Sequence, residues 1–365
     1  MDISKLDWKS LEFSCATEQN PAVDPEADGW FNQARALQKG GGQESEKEVV
    51  RLYTQAAEKG HYKAYLNLSI LYIEGDGVPS DTSKAVDLVE KALKLNAPHA
   101  YYQMGVMLQQ GIGVREDRGA SLVYFRKAAD LGNKYGQWAI GDDLLTAFAQ
   151  QAEPGRSRGR AIGLQMLECA LGQGFAEAGH RLGMDYLLTQ EDVYGALPYF
   201  EKAGALGHVQ SLYRLYSMFK NGENGLKKDP QRAACYDALW RAREDDPTIR
   251  FPDLATRCPL PSAPAKNSES GEPAPRAGLW RAVDDPNLMF RASLGESLPS
   301  VGGAALRWEW TPPLAGKQVR SGQPCPWPGL WACEDFPTGE RQFAHGQSMP
   351  EVEGRAVTWR LSRAG

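Results

Sequence analysis

The chain has 365 residues, of which 42% are hydrophobic and 24% charged, enough for two or three domains with ordinary cores. A formal net charge of -5 argues against a nucleic-acid binder, which displaces phosphate counterions with a basic stripe. Lys/Arg number 41 and Asp/Glu 46, with twelve of each from Phe251 onward, so the whole acidic excess lies in residues 1–250.

The opening MDISKLDWKSLEF lacks the apolar centre of a signal peptide, and no run reaches the about 18 apolar residues that span a bilayer. The expectation is a cytoplasmic chain, or a periplasmic one whose leader has been removed. Residues 1–27 read as an extended segment, and GWFNQARALQKG with EKEVVRLYTQAAEKGH reads as a helical pair. A shift of 36 then superposes Ala64 on Ala100, Gly75 on Gly111, Gly77 on Gly113, Asp81 on Asp117 and Ala92 on Ala128. A period of this size belongs to stacked repeats. Each copy has two amphipathic helices, the first carrying Leu66, Leu68 and Leu71, the second Ala85, Leu88, Val89 and Ala92. Between them the Gly-x-Gly pairs supply positive φ for a tight reversal, and Asp81 and Asp117 stand at helix starts as caps.

Three more units are altered. One has AEPGRSR inserted between its helices; a second, AEAGHRLGMDYL with ALPYFEKAGALGH, lacks the Gly-x-Gly turn; a third, SLYRLYSMFKNGENGLKKDPQRAACYDAL, has one extra turn residue. Residues 28–250 thus predict about twelve helices in a curved array. Residues 251–276, rich in Pro and Ser, predict a linker. Beyond them six of the ten Trp and short alternating runs such as LRWEW and AVTWRL predict strands over residues 277–365. An offset of 51 matches GLW at 278–280 with GLW at 329–331, GESLPSV with GQSMPEV, and Trp308 with Trp359. Two copies, about 277–312 and 328–363, would pair into one small sheet or sandwich around the Trp residues, Phe290 and Phe343. The fold class is therefore α+β and multidomain, an α/α solenoid followed by a β-rich module with internal two-fold repetition. Of the six cysteines only Cys325 and Cys333 lie close together and both in one copy, which points to a disulfide between them.

Catalytic chemistry finds no support. His61 and His208 share one repeat position after a helix-ending Gly, a structural role, and His99, His180 and His345 lack metal-ligand spacing. His61-Tyr62-Lys63 begins like a phospholipase D motif, but Leu68 stands where its Asp belongs. The Gly-x-Gly pairs lack the third Gly of a dinucleotide site and the Gly-Lys-Ser/Thr of a phosphate loop, and no Gly-x-Ser-x-Gly occurs. Asp pairs at 142–143, 245–246 and 284–285 read as solvated caps. No catalytic residue, metal or cofactor is expected, and the chain reads as a binder. A solenoid offers its first helices as an extended inner surface. The residues there are Tyr101, Gln103, Gln137, Trp138, His180, Arg181, Tyr213 and Arg214, on an acidic array that suits a basic partner.

The closest repeat copy, AYYQMGVMLQQGIGVREDRGASLVYFRKAAD, and SILYIEGDGVPSDTSKAV resemble the Sel1-like repeat family, with Met104, Leu108 and Ser69 as departures. More closely, LEFSCATEQNPAVDPEADGWFNQARAL, FPDLATRCPLPSAP and the closing GQPCPWPGLWACED with RQFAHGQSMPEV resemble bacterial Sel1-like proteins of the type VI secretion immunity group. That resemblance implies an immunity protein binding a cognate phospholipase toxin one-to-one, of the phospholipase D type, in the periplasm and without a membrane span. The alternatives are a scaffold or regulator of envelope complexes, and an enzyme of the cysteine-rich Sel1-like kind, which the lack of paired cysteines in each repeat weakens.

Overall fold

The structure, a computed structural model, describes residues 11–40, 43–147, 155–189, 192–311, 317–336 and 339–364, and divides into two compact units, Met1–Gly141 and Asp142–Gly365. In the first unit helices come in packed pairs: α1 (Pro25–Gly40) with α2 (Gln43–Glu58), α3 (Tyr62–Glu74) with α4 (Thr82–Lys94), and α5 (Pro98–Gln110) with α6 (Arg118–Asp130). α2 packs on α3 and α4 on α5, so each pair buries its apolar face against the next. α7 (Lys134–Ala147) runs across the unit boundary. In the second unit α8 (Gly155–Gly172), α9 (Ala176–Leu188), α10 (Val193–Ala205), α11 (Val209–Asn221) and α12 (Pro230–Asp245) each pack on the next.

The Gly-x-Gly turn works as its composition dictates. Gly75 (φ 83°) ends α3 and donates its N–H to Leu71 O, while the Asp81 N–H returns to Tyr72 O at 2.8 Å and the Asp81 carboxylate accepts from Lys84 N at 3.0 Å. Gly111 (φ 69°) and Asp117 repeat this, with Asp117 N–H on Leu108 O and its carboxylate on Ala120 N, both at 2.9 Å. One aspartate thus ties the turn to the first helix and caps the second, satisfying N–H groups that a helix start leaves open. Where the turn is shortened, between α9 and α10, Asp192 still donates to Tyr186 O and caps Gly195 N. Gly113 has a second reason to be glycine: with φ at 66°, a Cβ there would lie 2.4 Å from Thr82 O of the preceding repeat.

Of the segment read as extended, residues 1–10 lie outside the described residues and α1 takes the last three; residues 12–24 between them have no helix or strand, yet they are docked. Leu11 and Phe13 are buried, the Arg126 guanidinium donates to Leu11 O (3.2 Å) and Glu12 O (2.6 Å), and Gln137 donates to Ala16 O (3.0 Å). The linker expectation for residues 251–276 needs correcting. Phe251, Leu254 and Cys258 are buried in the core of the second helical unit with Phe200, Phe219 and Tyr236; residues Leu254–Arg257 form α13; and Cys258 is disulfide-bonded to Cys235 on α12. Phe251 N–H donates to Ala205 O and Tyr236 OH to Cys258 O, both at 2.9 Å, so isolated apolar anchors pin a proline-rich stretch that has no period of its own.

The first β copy also starts earlier than its composition suggests, at β1 (Asn267–Glu269), followed by β2 (Gly278–Ala282), β3 (Met289–Ala292) and β4 (Arg307–Trp310). The second has β5 (Gln318–Arg320), β6 (Gly329–Cys333), β7 (Glu340–Phe343) and β8 (Thr358–Ala364). They make two separate antiparallel sheets, β1-β4-β2-β3 and β5-β8-β6-β7, one per copy, where one small sheet or a sandwich was expected. The duplication is retained down to single bonds. Trp280 Nε1 donates to Arg276 O and Trp331 Nε1 to Trp327 O, both at 3.1 Å, and the indoles of Trp308 and Trp359 donate to Pro299 O and Pro350 O. Because each copy buries its own pair of tryptophans completely, each supplies a whole core and needs no shared sheet.

Cys325 and Cys333 are buried free thiols, contrary to the expected disulfide. Strand pairing holds Cys333 opposite Trp359, while the Cys325 thiol lies 3.0 Å from Trp327 O, so both serve as small apolar fillers of the second sheet's core. Cys235 is bonded to Cys258, and neither Cys15 nor Cys169 is a free thiol.

Candidate partner-binding surface

The exposed faces of the first helices differ between the two units. In the first unit α5 and α7 bring His99, Tyr102 and Tyr135 together, with ring centroids 5.2–5.6 Å apart. Tyr102, Tyr135 and the neighbouring Trp138 are half-exposed, and Ile70 on α3 is 41% exposed. Burial lowers the His99 imidazole below its usual value, so it stays neutral and packs as an aromatic body.

Among the sequence-selected positions here, Tyr101 turns to its own repeat, its hydroxyl 3.0 Å from Asn96 Oδ1 and its ring beside Tyr124. Gln103 is buried, its amide donating to Ser69 Oγ, and Gln137 is fully buried against the N-terminal segment. Neither glutamine can present itself to a partner, which corrects the expectation. Of the four, Tyr101 and Trp138 lie half-exposed. Tyr102 and Tyr135 were missed; the signal was available, since they fall two residues after Ala100 and one before Gly136 on the outward side of the repeat's small-residue positions.

In the second unit Tyr213 is 48% exposed and packs edge-on against Trp240 at 5.0 Å, with Tyr216 stacked on the same indole at 6.0 Å. Lys220 lies over Tyr216 and Arg241 over Trp240, at 4.9 and 5.3 Å from the ring centres. Arg214 pairs with Glu223 (3.1 Å) and Arg181 with Asp142 (2.5 Å). Tyr and Trp with cations over their faces are the residue types that anchor protein interfaces. Sequence reading found Tyr213 but not Tyr216 or Trp240, because Trp240 comes from the second helix of the pair.

The histidines hold backbone and one another. His61 and His208 cap α3 and α11, accepting from Ala64 N (3.2 Å) and Ser211 N (3.1 Å) at Nδ1. His180 lies tilted against His208 with centroids 4.7 Å apart, and both Nδ1 atoms lie 3.0 Å from Ser211 Oγ. Burial drives both imidazoles down to about 4, His180 further disfavoured by His208 and Arg214. Ser211 is fully buried and closed to substrate. Among the described residues no three His, Cys, Asp or Glu side chains cluster to hold a metal ion, and no helix is long and apolar enough to cross a membrane.

Stacked two-helix units with capped Gly turns, ending in a duplicated β module, define a helical repeat protein whose distinctive surfaces are aromatic. The Sel1 repeat profile matches residues 34–61, 63–96, 98–133 and 209–234, and the chain belongs to the Sel1-repeat family. Solved structures that resemble it include immunity protein Pa5087 from Pseudomonas aeruginosa, 29% identical over 70% of this chain and 97% of that one with a TM-score of 0.54. Immunity protein PA5088 of the same organism is 29% identical over 70% and 96%, TM-score 0.57, and Pseudomonas aeruginosa 5086 is 30% identical over 70% and 96%, TM-score 0.53. No curated protein sequence matches significantly. The unmatched span 134–208 nonetheless folds into α7 to α10, the altered units whose turns depart from the repeat pattern.

Proposed function

We propose that the chain is an immunity protein that binds and neutralises a cognate type VI secretion lipase effector of the phospholipase D type, one-to-one and without catalysis. The likeness to two proteins named as immunity proteins, over 96–97% of their lengths, carries this reading. The aromatic faces around Tyr102 and Trp138, and around Tyr213 and Trp240, are the surfaces through which a repeat protein would grip a folded toxin. Occlusion of the toxin's active-site mouth or its membrane-facing surface suffices for inhibition. The Cys235–Cys258 disulfide fits work in the periplasm, where disulfides persist. The test is to purify the chain with the product of its genomic neighbour and measure phospholipid hydrolysis. Stoichiometric loss of hydrolysis is expected; undiminished activity at molar excess of this chain sinks the proposal.

A further inference from the structure

Each of the three altered helical units touches the β module. On α10 the Arg276 guanidinium lies over the Tyr194 ring, 5.4 Å from its centre, and 4.7 Å from the centre of the Trp310 ring in its own copy. In the turn between α11 and α12, a Cβ on Gly225 would fall 2.5 Å from Leu294 Cδ2, so this leucine rests directly on the turn. The last strand, β8, packs on α8.

The two β copies meet each other through the same positions. The offset of 51 carries Arg276 onto Trp327 and Leu294 onto His345. Trp327 takes the first copy's Arg281 guanidinium on its face at 4.0 Å, and the His345 N–H donates to Asn287 Oδ1 at 2.7 Å. One joint is therefore used twice: the first copy grips α10 and the turn with it, and the second copy grips the first. Arg276 is buried and the Arg281 side chain is 19% exposed, so both cations lie on their rings where water is largely excluded and the attraction counts most. The contacts run without a break from α8, through the second copy and the first, to α10 and the α11–α12 turn.

The helices on this path have lost features that hold the regular units. Both α8 and α10 lie in the span 134–208, outside the matched repeats. No Gly-x-Gly turn precedes α10, and Pro198 inside it has no N–H for the Tyr194 carbonyl four residues before. Tyr194 is the residue that Arg276 covers, so the weakened start of α10 is held from outside the helix.

We infer that the β module is a brace, which fixes the three altered units to one another in place of the turn and helix features they lack. The inference needs no partner and stands apart from the immunity reading. Hydrogen exchange on the full chain tests it with two variants, each read at the other's contact. Leu294→Asp changes a side chain 45% exposed and no helix residue, and amides of α10 should then exchange roughly threefold faster, as a segment does when its local opening becomes easier. Tyr194→Leu keeps an apolar side chain on α10 and removes the ring. The amides of Leu226 and Asp229, which close the α11–α12 turn on Glu223 O at 3.0 Å and Phe219 O at 2.8 Å, should speed up by a similar factor. Amides of α3 and α5 should keep their rates, and β2 and β6 should stay protected. Unchanged exchange at the distant contact in either variant overturns the brace, because the module is then merely carried by the helices. Equal acceleration in α3 and α5, or loss of protection in β2 and β6, overturns it as well, the first showing general destabilisation and the second showing copies that lean on the helices. Should Tyr194→Leu unfold α10 by itself, the Leu294→Asp result decides alone.

Discussion

Gly111 and Gly113 sit two residues apart in one turn with nearly the same backbone, φ 69° and 66°, so replacing each with alanine separates conformation from contact. A left-handed residue with a Cβ costs about 1–2 kcal/mol wherever it stands. At Gly111 the added methyl meets Glu116 Cβ at 3.5 Å, an ordinary contact, and Gly111→Ala should lose only that amount. At Gly113 the methyl would come within 2.4 Å of Thr82 O and 2.8 Å of Val86 Cγ2, so the turn must also back away from α4. Overpacking against backbone adds about 1–3 kcal/mol, giving roughly 3 kcal/mol in total. Urea unfolding followed by circular dichroism measures both. Equal losses in the two variants would refute the claim that the second glycine sets the spacing between repeats.

The His180–His208 pair has its imidazoles depressed to about 4 from 6.5, so the folded state holds fewer protons than the unfolded chain in that window. Its contribution is complete above pH 6.5, declines as pH falls towards 4 and is level below that; allowing for partial exposure it amounts to about 1–2 kcal/mol. His180→Gln with His208→Asn, which keeps a capping oxygen, should flatten the pH dependence of unfolding by that amount. Cys235→Ser with Cys258→Ser opens a loop whose ends are 23 residues apart and should cost about 3 kcal/mol, read from denaturation midpoints without reductant. Trp280→Ala should collapse the first sheet by about 3–5 kcal/mol while amides of β6 and β8 keep their hydrogen-exchange protection; loss of both sheets together would show that the cores are not separate.

Much of this architecture was legible because it is local. Glycine at positive φ, aspartate at a helix start and a repeated GLW each act over a few residues, and Asp81, Asp117 and the 51-residue duplication stand where the sequence puts them. Errors arose where the outcome depends on what lies across a helix. Tyr101 and Tyr102 are neighbours in sequence and both meet the second helix of their pair, at Tyr124 and Phe125, but only Tyr102 also joins His99 and Tyr135, and polarity does not distinguish them. Gln103 and Gln137 look like surface residues, yet a neighbouring helix and the docked N-terminal segment bury them. The Cys235–Cys258 bridge was hidden because it depends on residues 251–258 folding back over α12, which a proline-rich stretch does not advertise.

The aspartate between paired helices makes the same two attachments whether the intervening turn is long, as before Asp81, Asp117 and Asp229, or cut short, as before Asp192. Loop length is thereby uncoupled from helix register. Insertions and deletions in these turns can alter what the protein displays at its edges without disturbing how its layers stack. A lineage facing a changing opponent could rewrite those edges one turn at a time and keep the same frame.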